Sequence, residues 1–118
     1  MPSDDLSNET LTCINDCGEC AVVCEQTARH CLQMGGEHAG PEHQALMRDC
    51  AAICTLSVEL MARSSTFAVQ TCRLCAEICQ ACADGCERLA NGDEAMQECA
   101  ETCRACAASC ERMAAAGV

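Results

Sequence analysis

The chain has 118 residues, a length that fits a single domain, and sixteen of them are cysteine. Phe67 is its one aromatic residue, so aliphatic side chains, alanine and cysteine must fill the core. Buried cysteine packs as a small apolar residue, so such a core can form without metal. The net charge is -11 and the seven basic residues, all arginine, are scattered singly, which argues against nucleic acid or an anionic membrane as a partner.

The N-terminal sequence lacks the basic and apolar segments of a secretory signal, and no apolar run is long enough to span a bilayer. We therefore expect a cytoplasmic protein without a membrane partner, in a compartment that keeps thiols reduced. An even number of cysteines would suggest disulfides in a small secreted protein. Here the compartment and the helical spacing favour free thiols or thiolate ligands.

The first half of the chain predicts two helices. The first covers residues 7–34 and ends at Gly35 and Gly36, because glycine readily adopts the backbone conformation that closes a helix. The second covers residues 41–63 and begins at Pro41, a residue suited to the first helical position.

The second half predicts two more helices. Ser64–Thr66 are expected to break the chain and to provide the N-cap of a third helix over residues 65–91. That helix ends at Asn91–Gly92, another stop signal, and Asp93 is expected to cap a fourth helix over residues 93–116. The connections are short, so consecutive helices should be antiparallel neighbours. The predicted fold is all-α: residues 1–118 form one antiparallel up-down-up-down four-helix bundle with a cysteine-lined core.

The cysteines recur at steps of three and four residues, which is the spacing of one helix face. They therefore occupy positions where a bundle normally has leucine. Sixteen thiols in one helical register predict an interior that binds soft metal ions, and all of them are candidate ligands. They are Cys13, Cys17, Cys20, Cys24, Cys31, Cys50, Cys54, Cys72, Cys75, Cys79, Cys82, Cys86, Cys99, Cys103, Cys106 and Cys110.

The charge of the ion favours Cu(I) among the metals that thiolates select. A Cu(I) ion that displaces one thiol proton leaves the charge of the interior unchanged. A Zn(II) ion with four thiolates carries two surplus negative charges, and burying several such sites without a counter-charge is costly. Pairs of thiolates about 5–6 Å apart at their Cβ atoms along a helix suit the low coordination number of Cu(I).

Four other functions are alternatives to Cu(I) storage. Cys72–Cys82 superficially resembles an Fe–S cluster run, but no proline follows it and its other residues favour a helix. A thiol–disulfide enzyme would place an exposed CxxC at a helix N-terminus beside a strand, whereas these pairs lie in mid-helix. A metallothionein-like buffer for Zn or Cd remains an alternative, as does an Fe–S redox protein. A metalloregulator is disfavoured by the acidic surface.

The antiparallel topology determines which inward-facing residues of the four helices lie at the same end of the bundle. One end should be an apolar plug. Its members are Leu6, Met61, Phe67 and Met113. The other end, the His/Met end, collects the three histidines and three of the six methionines near Cys31 and Cys99. Its possible metal ligands are His30, Met34, His38, His43, Met47 and Met96.

The cysteine ladders of the four helices resemble those of the copper storage proteins, a bacterial family of cysteine-lined four-helix bundles. The resemblance covers essentially the whole chain. Since the sequence shows no export signal, it is most similar to the cytosolic branch of the family. The resemblance implies a homotetramer, many Cu(I) ions held by thiolates inside each bundle, an end bearing His and Met where ions enter, and a closed apolar end. The matching segments are Cys13–Cys31, Cys50–Cys54, Cys72–Cys86 and Cys99–Cys110.

The second helix departs from the densest ladders of this family. It has Cys50 and Cys54, after which Ser57 and Met61 continue the same face without thiols. Residues beside that face are expected to pack on neighbouring helices or to form an oligomer interface through the first two helices. They are Ile53, Leu56 and Leu60. The predicted function is non-enzymatic storage of Cu(I), with copper ions and further copies of the chain as partners.

Overall fold

The computed structural model describes residues 6–116. Over this range the chain forms four α-helices and a short 3-10 helix, Gly36–Ala39, which follows the first of them. The α-helices are α1 (Asn8–Met34), α2 (Pro41–Ala62), α3 (Ala68–Ala90) and α4 (Glu94–Ala116). The first five residues lie outside the described range, so the predicted absence of an export signal there does too.

Each helix packs against the helices that precede and follow it in the chain, and α4 also packs against α1. The prediction of an all-α, antiparallel up-down-up-down bundle is therefore confirmed. The bundle is long and narrow, with principal extents of 49, 19 and 18 Å. Its interior is therefore narrow, and the core side chains form successive layers along the axis.

Local signals explain where α1 and α2 begin and end. The hydroxyl of Ser7 accepts a hydrogen bond from the backbone N–H of Thr10 at 3.1 Å, which caps the start of α1. Gly35 follows α1 with a φ of 75°, a conformation that glycine adopts without strain. Pro41 opens α2 as predicted.

The start of α3 differs from the prediction. The helix begins at Ala68, three residues later than expected, and no side chain caps its first turn. The hydroxyl of Ser65 instead accepts a hydrogen bond from the N–H of Phe67 at 3.1 Å, two residues along the chain. Ser64 has a φ of 54°, so the Ser64–Thr66 segment forms a tight turn and does not supply the N-cap.

The connection between α3 and α4 follows its sequence signals. Asn91 adopts the left-handed conformation with a φ of 49°, and Gly92 follows with a φ of 91°. A carboxylate oxygen of Asp93 accepts a hydrogen bond from the N–H of Met96 at 2.9 Å. The predicted cap of α4 is therefore present.

Small residues next to the cysteines keep the bundle narrow. Ala76, Ala83, Ala100 and Ala107 each directly follow a core cysteine of α3 or α4, and all four are buried. Helices approach one another as closely as the side chains between them allow. Alanine at these positions brings the helix axes near enough for short cysteine side chains to meet across the interior.

Candidate metal centre

All sixteen cysteines are free thiols, and each is 0% exposed. The predicted cysteine stripe on each helix therefore faces inward, and the four stripes together line the core. Cysteine has one heavy atom beyond Cβ, so the reach of each ligand is short and the backbone fixes the position of the sulfur closely. A metal centre built from these residues is positioned mainly by helix packing.

Sulfurs meet both along a helix and between helices. Within α1, the Sγ atoms of Cys20 and Cys24 lie 3.9 Å apart, one helical turn from each other. Between helices the contacts are equally close: Cys24 Sγ lies 3.6 Å from Cys103 Sγ, and Cys50 Sγ lies 3.5 Å from Cys79 Sγ. An ion in the interior can therefore reach ligands from two or three helices at once.

Groups of four sulfurs, all within 4.8 Å of one another, occur along the bundle. Five such quartets are Cys17/Cys75/Cys106/Cys110, Cys54/Cys75/Cys79/Cys106, Cys20/Cys50/Cys54/Cys79, Cys20/Cys24/Cys50/Cys103 and Cys24/Cys82/Cys99/Cys103. In this order, each quartet shares two sulfurs with the next one. The interior is therefore a continuous ladder of shared ligands and not a row of separate sites.

Shared sulfurs distinguish between the candidate metals. A Zn–S bond of about 2.3 Å gives a tetrahedron with edges of about 3.8 Å, which one quartet can match. Two overlapping quartets cannot both bind zinc as independent four-thiolate sites, because they have two ligands in common. Cu(I) needs fewer sulfurs per ion, and one thiolate can bridge two ions. Sulfurs this close leave room between them for single ions and not for clusters that carry their own sulfides.

Burial raises the pKa of the core thiols, whereas hydrogen bonds between thiols raise the pKa of some cysteines and lower that of others. Hydrogen bonds with Cys82 and Cys99, followed by burial, raise the pKa of the Cys86 thiol above its ordinary value. Burial raises the pKa of Cys31 to about 11, and the nearby Asp93 carboxylate adds to this rise. Such thiols are neutral at pH 7, so a metal ion must displace protons in order to bind.

The His/Met end brings Cys31 beside an imidazole. Cys31 Sγ lies 3.6 Å from Nε2 of His43, which is 7% exposed. Burial lowers the pKa of His43, so the ring is neutral at pH 7 and retains a lone pair for a metal. The structure therefore places one of the predicted histidines directly at the cysteine ladder.

The three methionines of the His/Met end have different environments. Met47 and Met96 are 0% exposed and belong to the core, whereas Met34 is 51% exposed. The predicted inward position of Met34 is therefore wrong. Met34 is the last residue of α1, directly before the helix ends at Gly35.

The other two histidines also lie in distinct environments. His30 Nε2 lies 2.8 Å from a carboxylate oxygen of Asp93, and this hydrogen bond is the main cause that lowers the pKa of Asp93. A metal ion that takes His30 Nε2 must first displace that carboxylate. His38 Nε2 is buried and has no hydrogen-bond partner among residues 6–116. The sequence indicated Asp93 as a helix cap and gave no sign of its contact with His30, 63 positions away.

The opposite end is partly apolar. Met61 and Met113 are 1% and 0% exposed, and they fill the core beyond the last cysteines. Phe67 is 63% exposed, so its predicted place in the plug is wrong. The late start of α3 explains this difference, since Phe67 precedes the helix and is not on its inward face.

Comparison with known proteins agrees with this geometry. The family model described as copper storage protein matches residues 6–115. The chain belongs to the copper storage protein family.

Solved structures of related proteins have the same fold. The Nmul_A1745 protein from Nitrosospira multiformis shares 44% identity over 92% of this chain and 96% of its own, with a TM-score of 0.85. The Cu(I)-bound copper storage protein BsCsp3 of Bacillus subtilis shares 34% identity over 91% of this chain and 99% of its own, with a TM-score of 0.83. A cytosolic copper storage protein from Streptomyces lividans, described with five coppers, shares 29% identity over 91% and 92% of the chains, with a TM-score of 0.82.

A curated relative matches over a shorter region. It is the Bacillus subtilis (strain 168) protein YhjQ, described as an uncharacterized cysteine-rich protein. The two sequences are 37% identical over 65 residues, which is 55% of this chain and 60% of that protein. The match therefore spans less than two thirds of that relative.

None of the helices within residues 6–116 has both the length and the apolar character needed to cross a membrane.

Proposed function

We propose that this member of the copper storage protein family is a non-enzymatic reservoir that binds multiple Cu(I) ions through the sixteen cysteine thiolates inside its bundle. The observation that carries this proposal is the overlap of the sulfur quartets, in which neighbouring groups share two ligands. A single catalytic or structural site needs one well-defined set of ligands. A ladder of shared ligands suits storage, because many ions can bind to one continuous interior.

Charge balance supports Cu(I) as the stored ion. The thiols are buried, and those whose pKa is raised release their protons when a metal takes the proton's place. One Cu(I) per displaced proton keeps the interior neutral, so filling the ladder adds no buried charge. Divalent ions bound by four thiolates each would leave negative charge in a region with no buried arginine among residues 6–116.

The His/Met end supports a route of loading. Cys31 and His43 form a buried sulfur–nitrogen pair, and Met47 and Met96 add soft thioether groups to the same end of the core. Together with His30, His38 and Met34, these side chains are proposed to pass incoming ions to the thiolates. The opposite end has buried Met61 and Met113 and is proposed to be closed.

Location and assembly are part of the same proposal. The cytosol suits a protein whose cysteines are all free, and the Streptomyces lividans relative is described as cytosolic. A homotetramer would need an apolar contact surface. Leu56 is 42% exposed and lines a shallow surface cavity with Ile53 and Ile78, so α2 and α3 offer such a surface. Light scattering coupled to size-exclusion chromatography tests the tetramer directly.

An anaerobic titration of the reduced protein with Cu(I), in competition with a chromogenic chelator, tests storage. We expect uptake near one ion per cysteine, with the helical circular dichroism unchanged throughout. Saturation at one to four ions would overturn the reservoir. Visible absorption of the purified protein would instead indicate Fe–S clusters.

A further inference from the structure

The cysteine ladder ends in a layer of three thiols near the apolar end. Cys13 Sγ lies 3.5 Å from Cys110 Sγ, and both thiols are near enough to the buried Cys72 thiol to shift its pKa. These residues come from α1, α4 and α3. On α2, the interior position one turn after Cys54 is occupied by Ser57. Cys54 Sγ lies 3.7 Å from Cys75 Sγ on the antiparallel α3, where Cys72 is one turn before Cys75. Ser57, one turn after Cys54, is therefore the α2 residue at the height of this three-thiol layer.

The hydroxyl of Ser57 is buried without a partner. The residue is 0% exposed, and its Oγ makes no hydrogen bond within residues 6–116, even to sulfur. An unpaired hydroxyl in the interior is destabilising, so such groups are uncommon. Ser109 provides a contrast: it is 2% exposed, and its hydroxyl donates to Asp16 and accepts from Arg112. The metal-free chain therefore leaves one specific donor at the end of the ladder unused.

We propose that Ser57 positions the Cu(I) ion at this end of the ladder, by donating a hydrogen bond to a thiolate of the three-thiol layer once copper has bound. The proposal rests on the proposed function. Cu(I) replaces the proton of a thiol, the proton leaves to solvent, and the sulfur becomes a charged acceptor. The hydroxyl of Ser57 then gains the partner that it lacks in the metal-free protein.

The position of the layer explains why a donor is useful there. Sulfurs in the middle of the ladder belong to two quartets and can bridge ions on both sides. Sulfurs of the last layer have ions on one side, with the buried side chain of Met61 one turn beyond Ser57 on α2. They retain more negative charge, and a hydrogen bond from Ser57 stabilises that charge in place of a further ion.

Three proteins test the proposal: the wild type, Ser57→Ala, and Ser109→Ala as a matched control with another buried serine. Each apoprotein is titrated anaerobically with Cu(I) against a competing chelator, and its Tm is measured. In Ser57→Ala, we expect one ion per chain to bind roughly tenfold more weakly or worse, because a hydrogen bond to a charged group is lost. The apoprotein should melt at a higher Tm, because a buried unpaired hydroxyl is removed. Ser109→Ala should melt at a lower Tm and bind copper as the wild type does.

Ser57→Cys tests the location of the residue independently. A fourth thiol in the terminal layer should increase the capacity by about one Cu(I) per chain. The proposal is overturned if Ser57→Ala binds every ion as tightly as the wild type, or if Ser57→Cys gains no capacity. Failure of the storage function would appear separately, as low copper capacity of the wild type itself.

Discussion

The sulfur of Cys31 lies 3.6 Å from Nε2 of His43, so the ladder ends in a sulfur–nitrogen pair at the His/Met end. His43 also lines a surface cavity with Glu42 and Arg88, which places its ring between solvent and the thiols. Because burial lowers the pKa of His43, its imidazole is available to a metal at neutral pH without first losing a proton. An ion that enters here meets a neutral ligand before it reaches the thiol of Cys31, whose pKa is raised by burial.

Replacing this imidazole should slow loading more than it reduces capacity. In His43→Ala, we expect a severalfold lower initial rate of Cu(I) uptake. The final capacity should fall by only about one ion, because the thiolate ladder remains intact. Stopped-flow transfer from a chromogenic Cu(I) complex measures the rate. Arg48→Ala, an exposed change on the same helix, is the control and should load like the wild type. Equal rates for the two variants would show that ions enter elsewhere.

The overlap of the quartets predicts different capacities for zinc and copper. The first, third and fifth quartets have no sulfur in common, so at most three of these five can bind Zn(II) as separate tetrahedral sites. We therefore expect Zn(II) to saturate these sites at about three ions per chain, far below the copper capacity. Mass spectrometry under non-denaturing conditions counts both. Equal capacities for the two metals would instead favour a metallothionein-like buffer.

Much of this arrangement could be predicted because the cysteines follow one simple period. Steps of three and four residues place them on one helix face wherever the helix begins, so small errors in helix bounds do not move them. Phe67 and Met34 were not placed correctly, because both lie at helix ends. Phe67 precedes the late start of α3 and Met34 is the last residue of α1, and the position of a side chain is hardest to predict where a helix begins or ends.

Contacts between helices could not be obtained from the sequence. The quartets depend on the rotation and height of four helices relative to one another, which a period within one helix does not determine. The contact between His30 and Asp93 joins α1 to the residue before α4 and has no local signal. The unpaired hydroxyl of Ser57 has no local sequence signal either, since a serine at a core position cannot be told from any other small residue there.

A surface network predicts acid-sensitive stability. Arg104 on α4 donates to Glu87 at 2.6 Å and to Asp84 at 2.8 Å, both on α3. The hydrogen bond from Arg104 lowers the pKa of Glu87, so its contribution to folding is present above the ordinary pKa of 4.5 and is lost as pH falls through the lower value of the folded state.

Arg104→Met should therefore have a slightly lower Tm than the wild type at pH 7, and the difference should shrink below pH 4.5. Thermal melts of the apoproteins between pH 7 and pH 3 measure this. Arg48→Met removes a more exposed pair with Glu25 and serves as the control, with a smaller effect expected. A difference that stays constant with pH would show that Arg104 acts through packing and not through its charge.

Asp93 combines two roles that two substitutions can separate. It caps α4 through the N–H of Met96, and it accepts a hydrogen bond from His30. Asp93→Ala removes both interactions and should cost about 1 kcal/mol of unfolding free energy or somewhat more, the usual effect of losing an N-cap. Asp93→Asn retains a good capping group but loses the charge, so it should cost clearly less. Urea denaturation of the reduced apoproteins measures both. If the two variants are equally destabilised, the charge that faces His30, and not the helix cap, is the main contribution of Asp93.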